Sequence, residues 1–250
     1  MMRFEGRSIL VTGGGSGIGR ATALAFAREG GRVTVADLDE TGGAAVAAEI
    51  DAAGGTAHFV RVDATAEADV VAMVAQAAAA HGPIRHAFNN VGHSRGGSVE
   101  TMTREDWDWT IAISVTSTWL GLKYQVPMML ANGGGTIVNT ASMSGKIFTA
   151  AASPAYSVAK AGVVHLSRYA SASYAGRGIR VNSVSPGLTA TPVIANMFSL
   201  EQQSAIAAEL QTIARAVDPA EIAATVLFLS SDEAAMITGT DTEVSGGRII

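Results

Sequence analysis

Seven short runs of β-branched and aliphatic residues recur along this chain, at 8–12, 32–37, 57–62, 85–89, 136–139, 180–184 and 241–244. Longer Ala-rich stretches separate them and read as helices over 18–29, 40–53, 67–80, 103–130 and 155–174, with further helical segments near 191–214 and 219–230. Runs this short and apolar on both faces belong to a parallel sheet that helices cover on both sides. The order βαβαβ followed by βαβαβ is the doubly wound arrangement. The expected fold is therefore α/β, with a seven-stranded parallel sheet. No Pro/Ser-rich linker, long charge run or repeat of 20–50 residues interrupts it, so residues 1–250 read as a single domain.

Composition narrows the function. With 48% apolar and 16% charged residues the chain cannot be disordered. A net charge of −5 without a Lys/Arg run argues against nucleic-acid binding. The absence of cysteine excludes disulfides and thiolate metal sites, and is compatible with a reducing cytoplasm. The first residues carry no apolar signal-peptide core. The longest apolar runs, such as 222–229, fall far short of the ~18 residues that span a bilayer. A soluble, cytoplasmic protein with no membrane partner is expected.

The loop after the first run, Thr12-Gly13-Gly14-Gly15-Ser16-Gly17-Ile18-Gly19, opens a helix. Glycines there permit a tight turn and let backbone N–H groups approach a pyrophosphate at the positive end of the helix. A tight βα turn with no ligand is the plainer reading of such a loop alone, but its place after the first strand favours a dinucleotide. A P-loop is rejected, because Arg20-Ala21 stands where Lys-Ser/Thr should follow. Asp37 ends the second run, 18 residues after Gly19. A carboxylate there accepts the adenosine ribose hydroxyls and repels a 2′-phosphate, which favours NAD(H) over NADP(H). Asp37 as a simple turn cap is the alternative.

Tyr156 and Lys160 are spaced i, i+4 and share one helix face. By chance that spacing arises in roughly 5% of such chains, so the chemistry has to carry the argument. A phenol is a poor acid–base group at neutral pH. A neighbouring ammonium stabilises the phenolate and is expected to lower the phenol's pKa into working range. A secondary alcohol losing hydride needs such a base, and a ketone gaining hydride needs such an acid.

Taken together these motifs resemble the short-chain dehydrogenase/reductase family, over nearly the whole chain. The family's T-G-x-x-x-G-x-G motif is Thr12 to Gly19, its adenine contact Asp63-Ala64-Thr65, and its N-N-A-G motif Asn89-Asn90-Val91-Gly92. Its catalytic Ser matches Ser142 and its Y-x-x-x-K matches Tyr156 to Lys160. Its P-G…T element reads Pro186-Gly187-Leu188-Thr189-Ala190-Thr191, and its V-D-G-G reads Val244-Ser245-Gly246-Gly247. The resemblance implies a Rossmann fold and an NAD(H)-dependent oxidoreductase for a secondary alcohol/ketone pair. It makes Tyr156 the general acid/base, with Lys160 lowering its pKa and holding the nicotinamide ribose. Ser142 would steady the substrate oxygen. The implied cofactor contacts are Gly13, Ser16, Gly17, Ile18, Gly19, Asp37, Leu38, Asp63, Ala64, Asn90, Val91, Gly92, Tyr156, Lys160, Pro186, Gly187, Thr189 and Thr191. No metal is implied.

One position departs from the family. Ser114 stands where a catalytic Asn usually kinks the long helix and holds a water linking the lysine to solvent. The expectation is that the backbone holds that water and the Ser114 hydroxyl assists the relay. The Tyr–Lys spacing of four, narrower than in related enoyl reductases, argues for C=O rather than C=C chemistry. A G-x-S-x-G elbow is absent, which disfavours a serine hydrolase. The alternative from another class is a catalytically weak NAD-binding scaffold or sensor.

Three loops should wall the substrate pocket: 93–98, 143–154, and a flap over 188–200 within substrate-binding loops that extend to about 214. His93, Ser94, Met143, Ser144 and Met197 are the expected substrate contacts, with Arg95 an exposed loop residue or an anion contact. Phe148, Phe198 and Leu200 add to an apolar lining that suits a neutral, bulky or cyclic ketone. By resemblance the partner is a second copy of the chain, as a homotetramer or dimer. The assembly would use 103–130, 155–174 and 220–244, which fits so small a charged fraction.

Overall fold

The computed structural model describes residues 2–247. Seven strands form one all-parallel sheet in the order β3-β2-β1-β4-β5-β6-β7. They are β1 (Ser8–Thr12), β2 (Arg32–Asp37), β3 (Thr56–Arg61), β4 (His86–Asn89), β5 (Gly135–Thr140), β6 (Ile179–Pro186) and β7 (Asp241–Val244). Helices α1 (Gly17–Arg28), α2 (Glu40–Ala52), α3 (Glu67–His81), α6 (Pro154–Tyr174) and α9 (Pro219–Ser230) fall in the expected stretches.

Alternation along the inner strands builds a core on each face of the sheet. Ile9 and Val11 pack with Phe26, Ile50, Ile222 and Val226 on one side. Leu10 packs with Val70, Met73, Val126 and Met129 on the other. Side chains of a strand point alternately up and down, so one apolar run supplies both layers. The two edges differ from the expectation of strands buried on both faces. β3 and β7 are largely part-exposed, because each has only one neighbouring strand.

The expected helix over 103–130 is three pieces. α4 (Arg104–Ile111) begins where the Thr103 hydroxyl accepts from Asp106 N. A π-helical turn, Ala112–Thr116, follows, and α5 (Ser117–Ala131) continues from it. In the turn Ser117 N bonds Ala112 O five residues back, and Ser117 Oγ donates to Ile113 O at 2.7 Å. One extra residue per turn redirects the helix, a device that 3.6-residue periodicity does not reveal. The 191–214 region is likewise divided into α7 (Pro192–Met197) and α8 (Leu200–Leu210), with non-helical chain from 211.

At the opposite end from the chemistry, His86 lies edge-on to Phe4 at 5.1 Å, and its Nδ1 is 2.7 Å from Thr136 Oγ1. Burial, with Arg7, Arg85 and Arg180 adding repulsion, pushes its pKa from 6.5 down to about 3. Between those values the unfolded chain binds a proton that the folded chain refuses, so stability falls as pH drops below about 6.5. We predict that urea unfolding shows the gap between wild type and His86→Leu narrowing from pH 7 to 4.5, by up to about 1.4 kcal/mol per pH unit. A pH-independent gap would contradict this.

Candidate active site

The strand order reverses between β1 and β4, where a doubly wound sheet leaves a crevice at its C-terminal edge. The glycine loop leaves β1 on one side, and Asn89 to Gly92 leave β4 on the other. The loop fits a pyrophosphate. Ser16, the N-cap of α1, makes no side-chain cap bond, and no acidic residue lies in the first turn. The first N–H groups of α1, at Gly17, Ile18 and Gly19, therefore have no side-chain partner from the cap and keep their partial positive charge for an anion. Gly19 admits no side chain, since a Cβ there would lie 1.9 Å from Gly13 O. Thr191 closes the far side, its Cγ2 3.2 Å from where a Cβ on Gly17 would stand. The Thr191 hydroxyl itself caps α7.

Asp37 accepts from Gly15 N at 2.8 Å and, on its other oxygen, from Asp39 N at 2.9 Å. It braces the glycine loop, and each oxygen keeps a lone pair for a ribose hydroxyl. Leu38 beside it is exposed. Asp63 is turned into its own loop, where one oxygen accepts from both N and Oγ1 of Thr65, and Ala64 is buried. Asn90 ties the halves of the crevice together. Its N donates to Thr12 Oγ1 at 3.1 Å, its Nδ2 to Gly13 O at 3.4 Å, and its Oδ1 accepts from Thr140 Oγ1 at 3.1 Å. At the β6 end, Gly187 N donates to Val244 O and Thr189 Oγ1 to Gly187 O, so Pro186 to Thr191 runs as a fixed strap. Val91 and Gly92 lead from Asn90 toward Lys160. A Cβ on Gly92 would stand 2.6 Å from Lys160 Nζ.

Ser153 caps α6 by accepting from Tyr156 N at 3.3 Å, and Pro154 occupies the first turn, where its missing N–H costs nothing. Tyr156 and Lys160 then project one turn apart, with Nζ 5.6 Å from the Tyr156 ring centroid. Lys160 is 1% exposed and donates to Thr140 O at 2.7 Å. Burial lowers its pKa from 10.5 to about 8, so it remains mainly cationic at pH 7. Burial raises the Tyr156 phenol, while the neighbouring Ser142 hydroxyl pulls it down by less. The net direction is upward, the reverse of the sequence expectation. Desolvation of the phenolate outweighs its stabilisation. Ser142 also accepts from Ser144 N at 3.2 Å, which fixes the 3₁₀ turn Met143–Gly145 beside Tyr156.

Ser114 is fully buried in the π-helical turn. Its hydroxyl donates to His93 O at 2.8 Å and accepts from His93 N at 3.2 Å. Its one proton is thus committed to a main-chain carbonyl, and it acts as a clamp on the loop after β4 rather than a free relay group.

The expected substrate contacts divide. His93, Met197, Phe148 and Leu200 are exposed, whereas Met143 is 5% exposed. The Ser94 hydroxyl bonds Ser153 Oγ at 2.9 Å, and Arg95 pairs with Asp106 at 3.2 Å while lying 4.4 Å over the Trp109 ring. Both turn toward α4 and α6. A groove of about 420 Å³ lined by Val99, Met102, Thr103, Arg104, Trp107 and Pro154 shares only Pro154 with the expected pocket loops. Sequence reasoning missed Thr140, which holds both Lys160 and Asn90, and the cap Ser153. It also missed a buried amide network. Asn89 exchanges bonds with Gln125 and donates to Asn139, which donates to Ser167. Polar residues within apolar runs were the available signal. Among the described residues no three His, Cys, Asp or Glu gather to hold a metal, and no helix is long and apolar enough to cross a membrane.

A family model described as enoyl-(acyl carrier protein) reductase matches residues 13–248. A short-chain type dehydrogenase/reductase from Mycobacterium marinum superimposes with a TM-score of 0.92 at 32% identity, covering 98% of this chain and 96% of that one. The chain belongs to the short-chain dehydrogenase/reductase family, whose members are nicotinamide-dependent oxidoreductases. Cyclohexanol dehydrogenase of Acinetobacter sp. (strain SE19) is 39% identical over 98% of the chain and 95% of its own length. A 2,5-dichloro-2,5-cyclohexadiene-1,4-diol dehydrogenase of Sphingobium indicum is 38% identical over 98% and 97%.

Removing the Ser114 hydroxyl leaves His93 N and O without that partner. We predict that Ser114→Ala lowers the unfolding free energy by about 1–3 kcal/mol in chemical denaturation. Unchanged stability would contradict the clamp.

Proposed function

We propose that the protein is an NAD(H)-dependent dehydrogenase that interconverts a cyclic or bulky secondary alcohol and its ketone. The observation that carries this reading is the trio Ser142, Tyr156 and Lys160 gathered beside a crevice that fits a dinucleotide. A bound nicotinamide would supply the hydride chemistry, as acceptor from the alcohol carbon or donor to the carbonyl carbon. The glycine loop, Asp37, Asn90, Lys160 and the strap to Thr191 would hold it, with Leu38, Asp63 and Ala64 beside the adenosine half.

Tyr156 moves the proton at the substrate oxygen. Its raised pKa keeps the phenol protonated near neutrality, ready to donate to a ketone oxygen. Alcohol oxidation needs the phenolate, so oxidation gains as pH rises. Ser142, whose hydroxyl lowers the phenol's pKa, would orient the same oxygen. Lys160, cationic below about pH 8, supports the phenolate electrostatically.

Asp37 supports NAD(H) over NADP(H), because a carboxylate bound to Gly15 N leaves a 2′-phosphate facing negative charge. The relatives named for six-membered ring alcohols, together with exposed Phe148, Met197 and Leu200 on the loops expected to wall the pocket, support an apolar ring substrate. They also support C=O chemistry over the C=C reduction in the family model's description, as does the Tyr–Lys spacing of four. Exposed Trp119, Val158 and Tyr169 on α5 and α6 support a homotetramer built on those helices.

The test is a panel of cyclic secondary alcohols and ketones with NAD(H) and NADP(H), using wild type and Tyr156→Phe. We expect turnover with a clear NAD preference, and Tyr156→Phe should lose at least about 100-fold in kcat while still binding NADH. Retained turnover would remove Tyr156 from the chemistry. Equal kcat/KM with NADP would contradict the role of Asp37. Tight NADH binding without turnover of any substrate would favour a scaffold.

A further inference from the structure

His93 is exposed, yet little about it is free. Ser94 N approaches its Nδ1 at 2.9 Å, and a backbone N–H can only donate. Ser94 O also lies 3.1 Å from Nδ1, so the backbone of Ser94 holds that edge of the ring whichever nitrogen carries the hydrogen. The ring stands edge-on to Trp109, with centroids 5.8 Å apart. Trp109 is held in turn by the Arg95 guanidinium, which Asp106 anchors. The main chain of His93 is gripped on both sides by the buried Ser114 hydroxyl. Its neighbours border the reacting pair. Gly92 lies against Lys160 Nζ, and Ser94 bonds Ser153, the cap of the helix that bears Tyr156.

No protein group among the described residues bonds Nε2 of His93. An exposed imidazole held this firmly by a clamp and an aromatic brace is a preorganised hydrogen-bonding group. We propose that His93 is a specificity-determining residue, whose Nε2 hydrogen-bonds a second neutral oxygen on the substrate. That oxygen is a hydroxyl or carbonyl near the one that Tyr156 serves. The preferred substrate class is then a cyclic diol, hydroxyketone or diketone rather than a simple cyclic alcohol. A polar group left without its partner penalises the analogue lacking that oxygen. This inference rests on the dehydrogenase reading above.

The experiment compares kcat/KM for 1,2-cyclohexanediol and cyclohexanol with saturating NAD, in wild type, His93→Phe and His93→Gln. The expected result is a roughly tenfold loss on the diol in His93→Phe, with cyclohexanol changed less than about twofold. His93→Gln, which keeps an N–H donor, recovers part of the diol activity. Equal losses on both alcohols, or no change on either, overturn the role of His93 while leaving the dehydrogenase reading intact. Oxidation of neither alcohol by wild type overturns both.

Discussion

The amine of Lys160 is buried at the C-terminal edge of the sheet, and much of the site is arranged around it. It donates to Thr140 O, faces the Tyr156 ring and occupies the space that any side chain at Gly92 would need. Burying a cation without a carboxylate partner is costly, and the protein meets that cost by lowering the pKa to about 8. The amine is therefore poised near its midpoint at mildly alkaline pH.

Thr140 links Lys160 to the glycine loop. Its carbonyl receives Lys160 while its hydroxyl donates to Asn90, and Asn90 reaches the Gly13 carbonyl across the crevice. A short path of hydrogen bonds thus joins the glycine loop, the end of β4 and the buried lysine. The buried Asn89–Gln125–Asn139–Ser167 network lies behind it and fixes α5 and α6 against the sheet. Polar groups satisfied in this way set register and orientation, which an apolar core alone does not specify.

The doubly wound sheet was legible because parallel strands must be apolar on both faces and helices must return the chain. The edges were less so, since β3 and β7 lack that burial. The glycine loop and the Tyr–Lys pair were legible because their spacing is local. The direction of the Tyr156 shift was not, because it depends on how much solvent the fold removes. The π-helical turn at Ser114 also escaped, as an added residue in a helical turn leaves the composition unchanged. Arg95 and Ser94 illustrate a similar limit. Their position in the loop was right, but their partners, Asp106 and Ser153, come from elements 11 and 59 residues away.

The chain has three lysines, which makes the poised amine directly measurable. Lys123 is paired with Glu67 and Lys146 with Asp241 and Glu243, and these pairings raise both pKa values above 10.5. NMR titration of ¹³Cε-labelled lysine should therefore resolve one resonance with a midpoint near pH 8, absent in Lys160→Met, and two that titrate above pH 10.5. Three resonances that all titrate above pH 10 would show that Lys160 is an ordinary solvated amine, and would contradict this account of the site.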